Sequence, residues 1–199
     1  MKAVLSALVL AALTLCPSAA PAADVEELEK LLHQSFGHTE RMCNAMERIN
    51  QEIALHPDED KLLELRISAF GALGDPYSAK PDVDTLADRH PESPYFQMQK
   101  CIVDEVTGTG LEESRLCFQR VADLCERTGR TGDDADEYLL ALMLADSPKA
   151  AEVKKRVLAR LSDSPVDSYL REMLTHFTRE MVVRKVDRST VYNPCTRNR

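Results

Sequence analysis

The side chains of this 199-residue chain best suited to chemistry are six cysteines and five histidines. Cys16 lies at the end of an apolar amino-terminal run, which leaves Cys43, Cys101, Cys117, Cys125 and Cys195. None of them has the C-x-x-C spacing of a metal or redox motif, so the chemistry they offer is pairing. Cys101 and Cys117 stand at similar distances from Thr107-Gly108-Thr109-Gly110, one on each arm of a helical hairpin, and are expected to form a disulfide. An odd total leaves one thiol free or bonded to another chain. For Cys195 the partner is Cys125 or Cys43, with Cys125 preferred. The histidines His33, His38, His56, His90 and His176 are scattered and show no H-E-x-x-H pattern, so no metal site is expected. His56 and His90 each precede a proline at a helix end, where an imidazole can bond the last carbonyls. There is no G-x-S-x-G elbow, P-loop or dinucleotide fingerprint. The carboxylates of Asp133-Asp134 and Asp136-Glu137 read as the acidic first turn of a helix, opposing its dipole. A non-enzymatic chain without a cofactor is expected.

The positioning elements begin after an export signal. Met1-Lys2, the apolar run Ala3 to Leu15 and Pro17-Ser18-Ala19-Ala20-Pro21-Ala22 read as a signal peptide cleaved after Ala22, where Ala20 and Ala22 supply the small side chains. A lipid-modified Cys16 is disfavoured because Leu15 is bulky where that pattern wants a small residue. Residues 1–22 are therefore the signal, 23–186 one helical domain and 187–199 a tail. No later run approaches the roughly 20 apolar residues of a membrane span. The formal charge of −8 becomes about −9 once Lys2 is lost, and no basic stripe offsets it, so nucleic acid is excluded as a partner. The expected location is the bacterial periplasm.

Apolar spacings of three and four recur from Val25 to Val182, while alternation is nearly absent, so the class is all-α. Val25, Leu28 and Leu32 pair with Met42, Ala45, Ile49 and Ile53 across a turn at Gly37. The run from Leu62 to Leu73 turns at Gly74-Asp75-Pro76. The third hairpin spans Pro94 to Cys125. Tyr138 to Ala145 and Ala150 to Leu161 form a fourth. A last long helix beginning near Ser164-Pro165 carries Val166, Tyr169, Leu170, Met173, Phe177 and Met181 as a cap. His56-Pro57 returns as His90-Pro91, and Gly74 as Gly108, each after 34 residues, the length of one helix-turn-helix unit.

With Gly74 at the inter-helix turn, Phe70, Ala79 and Pro91 fall on the aromatic, small and closing-proline positions of a tetratricopeptide repeat, and Ala45 and Pro57 occupy two of these in the preceding hairpin. Residues 24 to about 125 thus resemble the tetratricopeptide repeat (TPR) family. Pro81 departs from the pattern and is expected to start a short second helix, leaving Ala79 in the turn. The resemblance implies a right-handed solenoid of antiparallel hairpins whose first helices line a groove. Its lining positions are Glu27, Lys30 and Gln34, then Lys61, Glu64 and Ser68, then Tyr95, Met98, Ile102 and Glu105. That face suits an amphipathic peptide or protein loop. The terminal-carboxylate clamp of some relatives is not expected, since only Lys30 has the required type. The reading is a periplasmic protein-binding adaptor. The alternative is an immunity protein that neutralises a toxin delivered by a neighbouring bacterium.

Overall fold

The computed structural model describes residues 24–132 and 136–196. The expected signal peptide with Cys16, the Asp133-Asp134 pair and the last three residues of the tail lie outside the described residues. Nine α-helices make up the described chain, with no strand among them: α1 Val25–His33, α2 Thr39–Leu55, α3 Asp60–Ala72, α4 Pro76–Arg89, α5 Pro94–Thr107, α6 Leu111–Arg127, α7 Asp136–Leu144, α8 Ala150–Arg160 and α9 Pro165–Thr175. Through α8 each helix packs chiefly on its sequence neighbour, with α1 also on α3 and α5 on α7.

The 34-residue echo has a backbone cause. Gly74 and Gly108 both take positive φ (67° and 132°), where a side chain is strained. Each lets the following amide reach back five residues, Asp75 N–H to the Phe70 carbonyl (2.9 Å) and Thr109 N–H to the Asp104 carbonyl (2.9 Å), closing the helix end. His56 and His90 likewise end α2 and α4 in nearly the same conformation (φ −131° and −124°). Their side chains do not bond the last carbonyls as expected. His90 pairs instead with Asp60 at the start of α3 and stacks on Phe96, while His56 approaches Glu52 at 3.9 Å.

Helix α4 corrects a second expectation. It starts at Pro76, capped by Asp75, whose carboxylate accepts from the Ser78 amide at 3.0 Å, and it runs straight through Pro81. A proline at the first helical position is favourable, because its missing N–H would have had no partner there. Ala79 is therefore inside the helix and buried, as a small residue at a close helix crossing should be.

Two apolar cores result. Leu28, Leu32, Met42, Met46, Ile49, Leu62, Leu65 and Ala69 form the first, from α1 to α3. The second joins α5 to α9 around Phe118, Val121, Cys125, Leu142 and Leu144.

The last third of the chain differs most from expectation. Ser164 caps α9 as its type suggests, but the helix stops at Thr175, and Val166 and Tyr169 are exposed. Phe177 and Met181 are not on that helix. The chain turns so that Arg179 can enter the second core, where its guanidinium makes two bonds to the buried Glu105 carboxylate (2.7 and 2.6 Å), reaches the Leu144 carbonyl and lies over Phe118. The following segment runs back over the hairpins. Val186 N–H donates to the Val106 carbonyl (3.1 Å), the Tyr77 hydroxyl donates to the Val186 carbonyl (2.8 Å), and Asn193 donates to Asp75 (3.0 Å). It ends in a Cys43–Cys195 disulfide with Cα atoms 5.0 Å apart. The expected Cys125–Cys195 pairing is thus incorrect. Cys125 is buried within the second core, whereas Cys195 packs against the first. Cys101 and Cys117 are bonded to each other across their hairpin.

Non-reducing peptide mapping should recover Cys43–Cys195 and Cys101–Cys117 linkages and no peptide joining Cys125 to either. Burial, with the Glu137 charge, pushes the Cys125 thiol up to about 11, so it stays protonated and should resist alkylation until the protein is unfolded. Arg179→Ala leaves the buried Glu105 carboxyl group without its guanidinium partner, and denaturant titration should show a loss of about 3–5 kcal/mol.

Candidate functional site

A cavity of about 430 Å³ opens where α1, α3 and α5, the first helices of three successive hairpins, come side by side. Glu29, Leu32, His33 and Phe36 come from α1 and the residues after it, Lys61, Glu64, Leu65, Ile67 and Ser68 from α3, and Tyr95, Phe96 and Gln99 from α5. Val83 and Leu86 of α4 join them, and with Leu32 and Leu65 they are buried, giving an apolar floor. Phe36 and Tyr95 are large hydrophobic rings left 46% and 43% exposed. Both rings border the cavity and leave apolar surface open to solvent beside its buried floor.

Local structure sets the lining. Residues 29, 32, 33 and 36 share one face at helical spacing, and the turn that ends α1 carries Phe36 against His33, with ring centroids 5.8 Å apart. On α3, Lys61 and Glu64 lie one turn apart and pair at 3.4 Å. The Ser68 hydroxyl donates to the Glu64 carbonyl at 2.9 Å. On α5, Phe96 is held between two rings, stacked on His90 at 4.9 Å and edge-on to Tyr95 at 5.1 Å. His90 is itself fixed by Asp60. Burial pushes the Asp60 carboxyl up, but hydrogen bonds from Arg89 and His90 outweigh it and hold it below the usual range.

Of the residues expected from sequence, Lys61, Glu64, Ser68 and Tyr95 line this cavity. The others do not. Glu27 faces α2, where its carboxylate takes a bond from Arg48 at 2.9 Å, and Lys30 and Gln34 are exposed outside the lining. Met98 is buried in the second core with Ile102 packed against it, and Glu105 is held by Arg179. On α1 the cavity is lined by Glu29, Leu32, His33 and Phe36, a face offset by about two residues from the expected Glu27, Lys30 and Gln34. The cavity-lining positions Glu29, His33 and Phe36 are spaced by four and three, one face of a helix.

Among the described residues there is no grouping of three or more His, Cys, Asp or Glu able to hold a metal ion, and no helix is long and apolar enough to cross a membrane. Other cavities lie beside Cys43–Cys195 and between α7 and α8 near Arg179, both bordered by the returning C-terminal segment. The chain matches no known protein family, no curated protein and no solved structure.

Floor and rim should separate in stability measurements. Leu32→Ala and Leu86→Ala each remove a buried side chain and should cost about 2–5 kcal/mol in denaturant titration. Phe36→Ala and Tyr95→Ala remove exposed rings and should stay near 0.5 kcal/mol or less, by order of magnitude.

Proposed function

We propose that this protein is an exported, TPR-like scaffold that binds another polypeptide in the groove formed by α1, α3 and α5, without catalysing a reaction. One observation carries the reading: the cavity is built from the first helices of three consecutive hairpins, with an apolar floor and exposed aromatic rings at its edge. Repeat hairpins that stack in one direction create such a concave surface, and the right-handed solenoid of the TPR resemblance is the arrangement we favour. An apolar floor with polar groups around it fits the apolar face of an amphipathic segment. The lining favours holding over turnover, since the Ser68 hydroxyl is committed to a backbone carbonyl and the Lys61 ammonium to Glu64.

Export to the periplasm is supported by the signal-like amino terminus and by two cysteine pairs at bonding distance, an arrangement that persists in an oxidising compartment. The partner's identity then separates an envelope adaptor from an immunity protein, which would capture a toxin.

A photo-crosslinking amino acid placed at Phe36 or Tyr95 tests this in cells. Both positions should yield the same crosslinked partner, and Glu64→Lys should weaken the adduct. The same probe at Leu116, exposed on α6 and outside the groove, should give none. Equal crosslinking from Leu116, or none from the groove positions, would place the working surface elsewhere.

A further inference from the structure

We infer that the groove selects a positively charged residue: its occupant is an amphipathic polypeptide segment in which Lys or Arg stands beside apolar side chains. This rests on the groove reading above and adds the sign of the partner's charge. Three observations carry it. First, the charges within the cavity do not cancel. Lys61 is matched by Glu64 at 3.4 Å, whereas among the described residues no ion pair or hydrogen bond engages the side chain of Glu29, which is only half-exposed. A carboxylate partly withdrawn from water without a partner is a site where an incoming cation gains more than it would on open surface. Second, the rings of Phe36, Tyr95 and Phe96 line the same cavity. Aromatic faces carry negative potential and attract ammonium and guanidinium groups, while offering nothing to a carboxylate. Third, the surrounding field has the same sign. Residues 24 to 148 hold 27 Asp and Glu against 12 Lys and Arg. Such a field steers a basic segment toward the groove and slows an acidic one.

An acidic occupant would have to take Lys61 from Glu64 and leave two carboxylates unmatched in one cavity. An uncharged apolar occupant would use the floor of Leu32, Leu65, Val83 and Leu86 but leave Glu29 covered and unpaired. Both arrangements bury charge without compensation, which a basic residue avoids.

The test is selection of a phage-displayed library of short random peptides on the disulfide-bonded protein, residues 23–199, followed by fluorescence anisotropy of the synthetic winners. Circular dichroism of each variant keeps the fold in view. Peptides whose binding is lost on Tyr95→Ala should carry Lys or Arg next to apolar residues. Their affinity should fall about tenfold on Glu29→Gln, and further on Glu29→Lys. Replacing the peptide's basic residue with Glu should do the same, and selection on the Glu29→Lys protein should shift the winners toward Asp and Glu. Tyr95-dependent peptides without a basic residue, or indifferent to Glu29→Lys, would overturn the charge inference and leave the groove reading standing. Finding no Tyr95-dependent peptide at all would overturn both.

Discussion

The Cys43–Cys195 bond joins the second helix to the last described turn, across 152 residues of chain, and the architecture depends on that closure. Stacked hairpins otherwise touch only their neighbours, so stability accumulates locally and the ends are free to fray. Here the chain returns along the hairpins and is tied at Glu105, Val106, Tyr77, Asp75 and finally Cys43. The first and last parts of the array are thereby coupled. Loop-closure entropy gives a scale: the other disulfide spans 16 residues, and each doubling of loop length adds about 0.6 kcal/mol, so the long bond constrains the unfolded chain by roughly 2 kcal/mol more. A single covalent link at the end of the strap makes all its weaker ties local.

Between the helices, register is held by ion pairs where the side chains are small. Ala79 and Ala87 allow α4 to approach closely, and the crossing is pinned by polar groups. Arg66 on α3 makes two bonds to Asp82 of α4 (2.7 and 2.6 Å) and one to Asn50 of α2 (2.9 Å). Lys80, Asp84, Lys100 and Asp104 form an alternating network between α4 and α5. Burial pushes Asp84 up, yet bonds from Lys100 and Lys80 outweigh it and the carboxyl lies below its ordinary value. Its contribution is therefore present above the ordinary Asp range and is lost as pH falls through the lowered value. For Lys100 burial acts downward and is outweighed by bonds to the same carboxylates, leaving it raised. Its share persists below the ordinary Lys value and disappears only as pH rises past the raised one. The network is thus intact throughout the neutral range.

What the sequence disclosed follows from the range of the forces involved. Helix periods, capping residues and the Gly74 and Gly108 turns are local, and they locate the hairpins closely. The Cys101–Cys117 bond was legible because both cysteines flank one turn. The Cys43–Cys195 bond was not, since it depends on where a tail without periodicity comes to rest. The same applies to Arg179: apolar spacing continued the last helix to Met181, but the buried Glu105 carboxylate required a guanidinium, and satisfying it broke the helix after Thr175. A buried charge can outweigh the preference of a short exposed helix turn, because an unpaired ion in a core costs several kcal/mol, of order 3–5, and one turn contributes far less. Of the residues expected along a groove, Lys61, Glu64 and Ser68 of α3 border the cavity while those of α1 do not, because apolar spacing reports which face of a short nine-residue helix turns to the core and not what its opposite face meets.

The strap and the cavity lined by α1, α3 and α5 occupy different parts of the molecule, and that separation has a physical consequence. None of the strap's anchoring residues lines the cavity between α1, α3 and α5. The long-range ties stiffen the helices from outside the cavity, and its floor of Leu32, Leu65, Val83 and Leu86 is itself core, so the exposed rim need not supply stability. Phe36 and Tyr95 can then stay exposed, and Glu29 without a partner among the described residues, at little cost to the fold. On the function proposed above, a surface assembled from helices already fixed by a disulfide and buried ion pairs loses little conformational entropy when it takes a partner, and affinity rises with that preorganisation. On that same reading, stability rests on the strap and the buried floor and recognition on the exposed rim of Glu29, Phe36 and Tyr95, so the rim can be specialised for an occupant without endangering the fold.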